Sequence, residues 1–259
     1  ARGQNSRMNA GDITDLKIVQ VSDCHVSADP DADYRGQNAG RALKSLLPAI
    51  RAFQPDLLLL TGDVSNDYSP ASYGRVSALL SSVGAPVLAL PGNHDDPDVM
   101  MRYFPDGPWG GPLFRGAKGW QLVLLDSTAR GEISGSFPEG HLERLAQGLR
   151  RSDSEHVLVA LHHQPVPVGS PWIDRYSLQE PEPLLDLLQN DGRVRLVAWG
   201  HIHQDFSAEQ GGMKLMGAPS CVSNSIPGRE KFTLDLAGPA CRWLVLGRGG
   251  SVETGLLRP

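Results

Sequence analysis

The chain has 259 residues, of which 40% are hydrophobic and 20% charged, with a formal net charge of −5. That length suits one large α/β domain with a substantial core and is short for two. No apolar run approaches the roughly 20 residues of a membrane span, and the acidic balance speaks against nonspecific nucleic-acid binding, which needs a basic patch. Neither a membrane nor a nucleic acid is therefore an expected partner. A small anionic ligand stays open, because a local cationic centre can dominate a pocket whatever the total charge.

In chain order, residues 1–15 (ARGQNSRMNAGDITD) are polar and lack the apolar segment of a signal peptide, so they read as a disordered or appended tail ahead of a single domain over 16–259. Short apolar runs at Leu16–Val21, Leu57–Leu60, Pro86–Leu90, Gln121–Leu125, Val157–Leu161 and Val194–Trp199 predict buried strands. Helical periodicity lies between them at Asn38–Phe53 and at Pro70–Val83, the latter behind a Ser69 cap. Further helices are expected at Pro138–Arg151 and Glu180–Gln189. The alternation predicts βαβ units and a largely parallel sheet. After Gly200 the pattern changes to two antiparallel hairpins, Phe206–Gln210 with Lys214–Gly217, and Arg242–Leu246 with Ser251–Leu256. Two long Pro/Gly-rich stretches, Phe104–Gly119 and Gln164–Leu178, read as lids over a site. Cys24, Cys221 and Cys241 show no disulfide framework or zinc-knuckle spacing, which fits a reducing, cytoplasmic setting.

The chemistry stands at the ends of the predicted strands. Asp23 and His25 follow the first, two residues apart, so an extended backbone would turn both to one face with Cys24 opposed. Gly62-Asp63 follows the second, Asn93-His94-Asp95 the third, His162-His163 the fifth, and His201 and His203 the sixth. Any one of these dipeptides alone is ordinary turn chemistry or a hydrogen-bonded histidine. Together they take six of the eight histidines, and the carboxyl ends of strands in open α/β sheets are where ligands bind.

The ordered set D-x-H (Asp23–His25), G-D (Gly62-Asp63), G-N-H-D (Gly92–Asp95), H-H (His162-His163) and G-H-x-H (Gly200–His203) resembles the signature of calcineurin-like metallophosphoesterases. The resemblance implies a four-layer α-β-β-α sandwich of two mixed β-sheets flanked by helices. It implies two metal ions, one on Asp23, His25, Asp63 and His203 and the other on Asp63, Asn93, His162 and His201, with Asp63 bridging. Two ions roughly 3.5–4 Å apart can share a hydroxide and direct it in line at phosphorus. With two carboxylate ligands the centre carries about +2, which attracts phosphate. Oxygen and imidazole donors without thiolate suit iron or manganese, with zinc or cobalt next, better than magnesium or calcium.

The same resemblance makes His94 the group that protonates the leaving oxygen, a task suited to an imidazole whose ordinary pKa lies near 6.5. It also places Asn93, His94 and His203 against the substrate. Asp95 either orients His94 or caps a helix ahead of Pro97, Asp126 and His163 read as supporting groups rather than ligands, and His141 and His156 as surface residues. SADPDADYRGQN, HHQPVPVGSPWIDRYSL, GHIHQDF and APSCVSN further resemble bacterial class III cyclic-nucleotide phosphodiesterases. That implies hydrolysis of 3′,5′-cyclic AMP to 5′-AMP. The Trp172, Asp174 and Arg175 segment reads either as a cover for the nucleoside, through an aromatic face on adenine, or as a surface loop packed on its own body. Gln164 departs from the proline or histidine frequent in those phosphodiesterases. A broad-specificity phosphodiesterase or phosphomonoesterase is the second reading. A metal-binding scaffold without catalysis is the third, and the retained His94 speaks against it. Monomer and homodimer both stay open.

Overall fold

The computed structural model describes residues 14–259, so most of the polar stretch assigned to a tail lies outside the described residues. The first half comprises β1 (Leu16–Val21), α1 (Ala39–Phe53), β2 (Leu57–Thr61), α2 (Pro70–Ser81) and β3 (Val87–Leu90). A short α3 (Pro97–Met100) leads to β4 (Leu113–Ala117), β5 (Trp120–Leu124), α4 (His141–Arg151), β6 (His156–Leu161), α5 (Pro171–Asp174), α6 (Glu182–Asp191) and β7 (Val194–Trp199). The chain ends through β8 (Phe206–Gln210), β9 (Met213–Gly217), the two-residue β10 (Asn224–Ser225) and β11 (Leu234–Asp235), β12 (Cys241–Leu246) and β13 (Val252–Leu257). The cap expected at Ser69 forms, its hydroxyl accepting the Ser72 N–H at 3.1 Å, and α1 is capped likewise by the Asn38 side-chain Oδ1, which accepts the Arg41 N–H at 2.9 Å.

Two mixed sheets result, ordered β13-β12-β1-β2-β3 and β4-β5-β6-β7-β9-β8. β1, β2 and β3 run parallel, as do β5, β6, β7 and β9, and antiparallel strands complete the edges. Period-two alternation then divides the apolar residues into three cores. Val19, Val21, Leu58 and Leu60 pack under α1 and α2. Val157, Val159 and Val197 pack under α4 and α6. Ile18, Leu57, Leu59, Leu122, Leu158 and Leu196 meet between the sheets. Three cores separate four layers, the expected sandwich, and each fully buried leucine contributes about 1.5–3 kcal/mol relative to exposure.

The sheets are also pinned together near their carboxyl ends. Buried Gln20 donates from Nε2 to the Trp199 carbonyl at 3.0 Å and to Thr61 Oγ1 at 3.1 Å, so β1, β2 and β7 end in register. That register brings the motifs of both sheets to one edge.

Two expectations need correction. Phe104–Gly119 is not a lid: Leu113–Ala117 forms the edge strand β4, paired from Leu113↔Leu124 to Ala117↔Trp120, and Trp109 Nε1 donates to the Phe104 carbonyl at 2.9 Å. Arg115 and Gly116 had masked its alternation. His141 and His156 are buried rather than surface residues. His141 stacks on Phe137 at 4.8 Å, and His156 packs on Trp120 while its Nε2 donates to the Arg248 carbonyl at 3.0 Å.

Candidate metal centre

β1, β2 and β7 each stop one or two residues short of their motif, and the backbone there turns into the left-handed region. Asp23, His25, Asp63, His201 and His203 all have φ between 43° and 67°, and they make up five of the ten non-glycine residues with positive φ among the described residues. The extended D-x-H and H-x-H geometry expected from spacing is therefore wrong in its cause, although the side chains still converge. Such conformations cost of order 1–3 kcal/mol each and persist only where surroundings over-determine them. Here Asp23 N–H donates to the Gly62 carbonyl at 3.0 Å and His25 N–H to the Asp63 carbonyl at 2.9 Å.

The motif glycines allow the approach. A Cβ on Gly62 would stand 2.5 Å from His162 Nδ1, and one on Gly200 would stand 2.7 Å from the Thr61 carbonyl and 2.8 Å from Asp23 Oδ2.

Two donor groups meet at this edge. Asp23, His25, Asp63 and His203 have one possible ligand atom each within 4.8 Å of one another, and so do His162, His163 and His201. Asp63 faces both: its Oδ2 lies 3.6 Å from His25 Nε2, and its Oδ1 lies 3.3 Å from His162 Nε2. Oδ1 also accepts the His94 N–H at 2.9 Å. Asp23 Oδ1 lies 3.3 Å from His203 Nε2, and the Asp23 carboxylate accepts the His201 N–H at 3.1 Å. Asn93 sits alongside with its Oδ1 buried and without a hydrogen-bond partner among the described residues.

The histidines are oriented by their far nitrogens. His162 Nδ1 donates to the Thr61 carbonyl and His203 Nδ1 to that of Ser223, both at 2.8 Å, and His201 Nε2 donates to that of Tyr176 at 3.1 Å. A carbonyl takes the proton on that side and leaves the other nitrogen directed inward, the one through which a metal would be held. The Nε2 atoms of His25 and His203 face each other at 3.2 Å, and His162 Nε2 and Asn93 Oδ1 have no hydrogen-bond partner among the described residues. Buried lone pairs without donors are costly, and cations satisfy them, so the donor set fits divalent metal ions.

Electrostatics within the group are strongly coupled. Burial pushes the Asp63 carboxyl up, but the imidazoles of His162 and His25 outweigh it and hold it well below the usual range. Burial opposes charge on His162, yet Asp63 keeps its pKa raised at about 9. Burial keeps His25 and His201 well below the ordinary imidazole value. The Asp63 charge thus decides the direction at His162, whereas burial outweighs it at His25 and His201.

The remaining sequence candidates fall into distinct places. His94 is half-buried, edge-on to His25 at 5.1 Å, and its ring makes no hydrogen bond among the described residues. Asp95 neither caps a helix nor touches the His94 ring. Its carboxylate accepts the N–H groups of Gly92 at 2.9 Å, Val64 at 3.0 Å and Ser65 at 3.1 Å, tying the β2 and β3 loops together. Burial and the neighbouring Asp63 charge push its pKa up to about 7. The cap before Pro97 is Asp96, which accepts from Asp98 N–H at 3.0 Å.

His163 has both nitrogens engaged, by Ser127 Oγ at 2.8 Å and the Ile133 carbonyl at 3.0 Å, and burial lowers its pKa to about 3. Asp126 turns away, accepting from Thr128 N–H at 2.8 Å, and burial raises its pKa. Gln164 donates to the Ile173 carbonyl at 2.9 Å and so tethers α5. Asp174 accepts the Val168 and Ser170 N–H groups within its own loop, while Trp172 comes edge-on to His203 at 6.4 Å. Sequence reading missed Tyr34, which stacks on His25 at 4.2 Å and 13°, because an isolated tyrosine in a loop carries no periodic signal.

A four-layer sandwich with clustered carboxylates and imidazoles at its strand ends defines a metal-dependent phosphoesterase, and residues 16–205 match the calcineurin-like phosphoesterase family, to which the chain belongs. The chain is 36% identical over 260 residues to the 3′,5′-cyclic adenosine monophosphate phosphodiesterase CpdA of Pseudomonas aeruginosa, covering 98% of this chain and 94% of that one. It is 34% identical over 243 residues to the protein of the same name from Escherichia coli K12, covering 92% and 88%. Among solved structures, a dimetal phosphatase from Danio rerio superposes with a TM-score of 0.70 at 16% identity, covering 95% of this chain and 99% of that one. At that identity the likeness concerns the fold.

Proposed function

We propose that the protein is a two-metal phosphodiesterase that hydrolyses 3′,5′-cyclic AMP to 5′-AMP. The observation that carries the two-metal reading is Asp63, whose two carboxylate oxygens face an imidazole of each donor group. Asp23, His25, Asp63 and His203 would hold one ion, and Asp63, Asn93, His162 and His201 the other. The donor set, without thiolate, suits iron or manganese. When bound, such ions supply Lewis acidity toward a phosphoryl oxygen and a water of lowered pKa.

The chain's own residues then complete the reaction. Asn93 and His203 border the phosphate position, and His94, whose ring has no hydrogen-bond partner among the described residues, gives its proton to the 3′ oxygen as the P–O3′ bond breaks. Water adds its oxygen to phosphorus, and the proton it loses restores His94, so one water is consumed for each 5′-AMP formed. His163 and Asp95 hold the flanking loops.

Cyclic AMP as substrate is supported by the two relatives that carry that activity in their names, at 36% and 34% identity over nearly the whole chain. The free, buried thiols of Cys24, Cys221 and Cys241 suit a cytoplasmic setting. No helix among the described residues is long and apolar enough to cross a membrane. The test is metal-free protein reloaded with Fe²⁺, Mn²⁺ or Zn²⁺ and assayed on cyclic AMP, cyclic GMP, a 2′,3′-cyclic nucleotide, a simple diester and a monoester. Preference for cyclic AMP supports the reading. A flat profile replaces it with a broad-specificity phosphoesterase, and inactivity on every ester with a non-catalytic scaffold.

A further inference from the structure

A cleft of about 680 Å³ opens beside the metal centre, and Tyr68, Asn93, His94, Arg130 and Ile133 are among the residues that line it. Its volume falls within the ~300–1,000 Å³ of small-molecule sites. Tyr68 and Ile133 are 50% and 48% exposed, two of only five large hydrophobic side chains left exposed among the described residues, and both line this one cleft. Large apolar groups concentrated at a polar site mark a ligand surface more than chance exposure does.

Tyr68 and Ile133 are both anchored. Tyr68 holds φ +59°, an outlier for a bulky side chain. Its N–H donates to Ser65 Oγ at 2.8 Å, and the Ser65 N–H donates to the Asp95 carboxylate, which also holds Gly92 of the His94 loop. Ile133 is held through its carbonyl by His163 Nε2, next in sequence to His162. The strained turn and the opposite loop are thus each tied by a buried side chain to the residues around the phosphate position. Strain maintained in this way is characteristic of ligand clamps.

We infer that this cleft is the nucleoside subsite, with the base held between the Tyr68 ring and the Ile133 side chain, and Tyr68 as the residue that selects a nucleoside ester. The inference rests on the cyclic-nucleotide reading above. In a 3′,5′-cyclic phosphate both ester oxygens belong to one ribose, so protonation of the 3′ oxygen by His94 places the ribose on the His94 side. The base, attached to that ribose, extends into the cleft that His94 lines. Arg130, exposed and without an ion pair or hydrogen bond among the described residues, lines the same cleft with its cation free for polar edge atoms.

The experiment compares the Mn²⁺-loaded wild type with Tyr68→Asn and Ile133→Ser on cyclic AMP and on a base-free ribose 3′,5′-cyclic phosphate. Asparagine tolerates the left-handed backbone, so Tyr68→Asn removes the ring without adding strain. The ratio of kcat/KM for the two substrates is independent of the folded fraction. Stacking one base on an aromatic ring gives roughly 10- to 100-fold. Tyr68→Asn is expected to lower the preference for cyclic AMP by that factor, through KM with kcat within about twofold, and Ile133→Ser to lower it less in the same direction. Variants that hydrolyse cyclic AMP with the wild-type preference overturn the subsite and leave the activity standing. A wild type that hydrolyses neither cyclic phosphate overturns the cyclic-nucleotide reading and the subsite with it.

Discussion

Gly92→Ala tests how closely the site is packed. Gly92 lies outside the left-handed region, so alanine meets no backbone penalty, and at an open position the change would stabilise by about 0.4–1 kcal/mol. Here the added Cβ would press on the Asp63 carboxylate and stand 2.5 Å from Asp63 N and 2.7 Å from His162 Cε1. The contact with backbone N cannot be relieved by a rotamer, so Asp63 must shift as a whole. Overpacking of this kind costs about 1–3 kcal/mol. The shift also lengthens the His94 N–H bond to Oδ1, now 2.9 Å, and the 3.3 Å approach to His162. Displaced supports of a metal ligand cost about 10–100-fold in affinity, and misplacing reacting groups by 1 Å costs about 100-fold in rate. Urea unfolding of the metal-free protein, Mn²⁺ titration and turnover would be compared with Gly116→Ala, whose Cβ meets nothing within 4 Å. If Gly92→Ala matched Gly116→Ala in stability, Mn²⁺ affinity and turnover, the packing argument would be wrong.

Two further outcomes follow from other parts of the molecule. His94→Ala should keep both metals and lose about 100- to 10,000-fold in kcat on cyclic AMP, with a smaller loss on a p-nitrophenyl diester, whose leaving group needs no proton; equal losses on both would remove the general-acid role. Asp56, 2.8 Å from Lys118 Nζ and accepting the Lys17 N–H, has its pKa lowered: burial pushes it up, but Lys118 and Lys17 outweigh that. A depressed folded pKa stabilises above the unfolded value of about 3.9 and is lost as pH falls through the folded one. Asp56→Asn should therefore lower the urea midpoint at pH 7 and converge with the wild type below about pH 4, and a constant gap down to pH 2 would refute the linkage.

The strands and the site candidates were legible because each motif follows an apolar run whose period and length identify it. β1 and β7 were read at their full extent, and Asp23, Asp63, Asn93, His162 and His203 all gather where the strands end. The backbone at the site was not legible. Left-handed φ at His25 or His201 is imposed by hydrogen bonds from other segments, and no local pattern encodes it. Asp95 and Asp96 are indistinguishable as caps in sequence; only the position of the Val64 and Ser65 N–H groups, 30 or so residues away, decides between them. β4 was hidden because pairing with β5, rather than its own alternation, makes it a strand. His141 and His156 were misassigned because histidine is as apt to stack on Phe137 or Trp120 as to face water.

The two-metal account is tested most directly by titrating metal-free protein with Mn²⁺ while bound metal per chain and 5′-AMP formation from cyclic AMP are followed in the same samples. The account predicts no product without metal and activity that reaches its plateau at two ions per chain, with Asp63 serving both. Full activity at one ion per chain, or turnover in the metal-free protein, would contradict it.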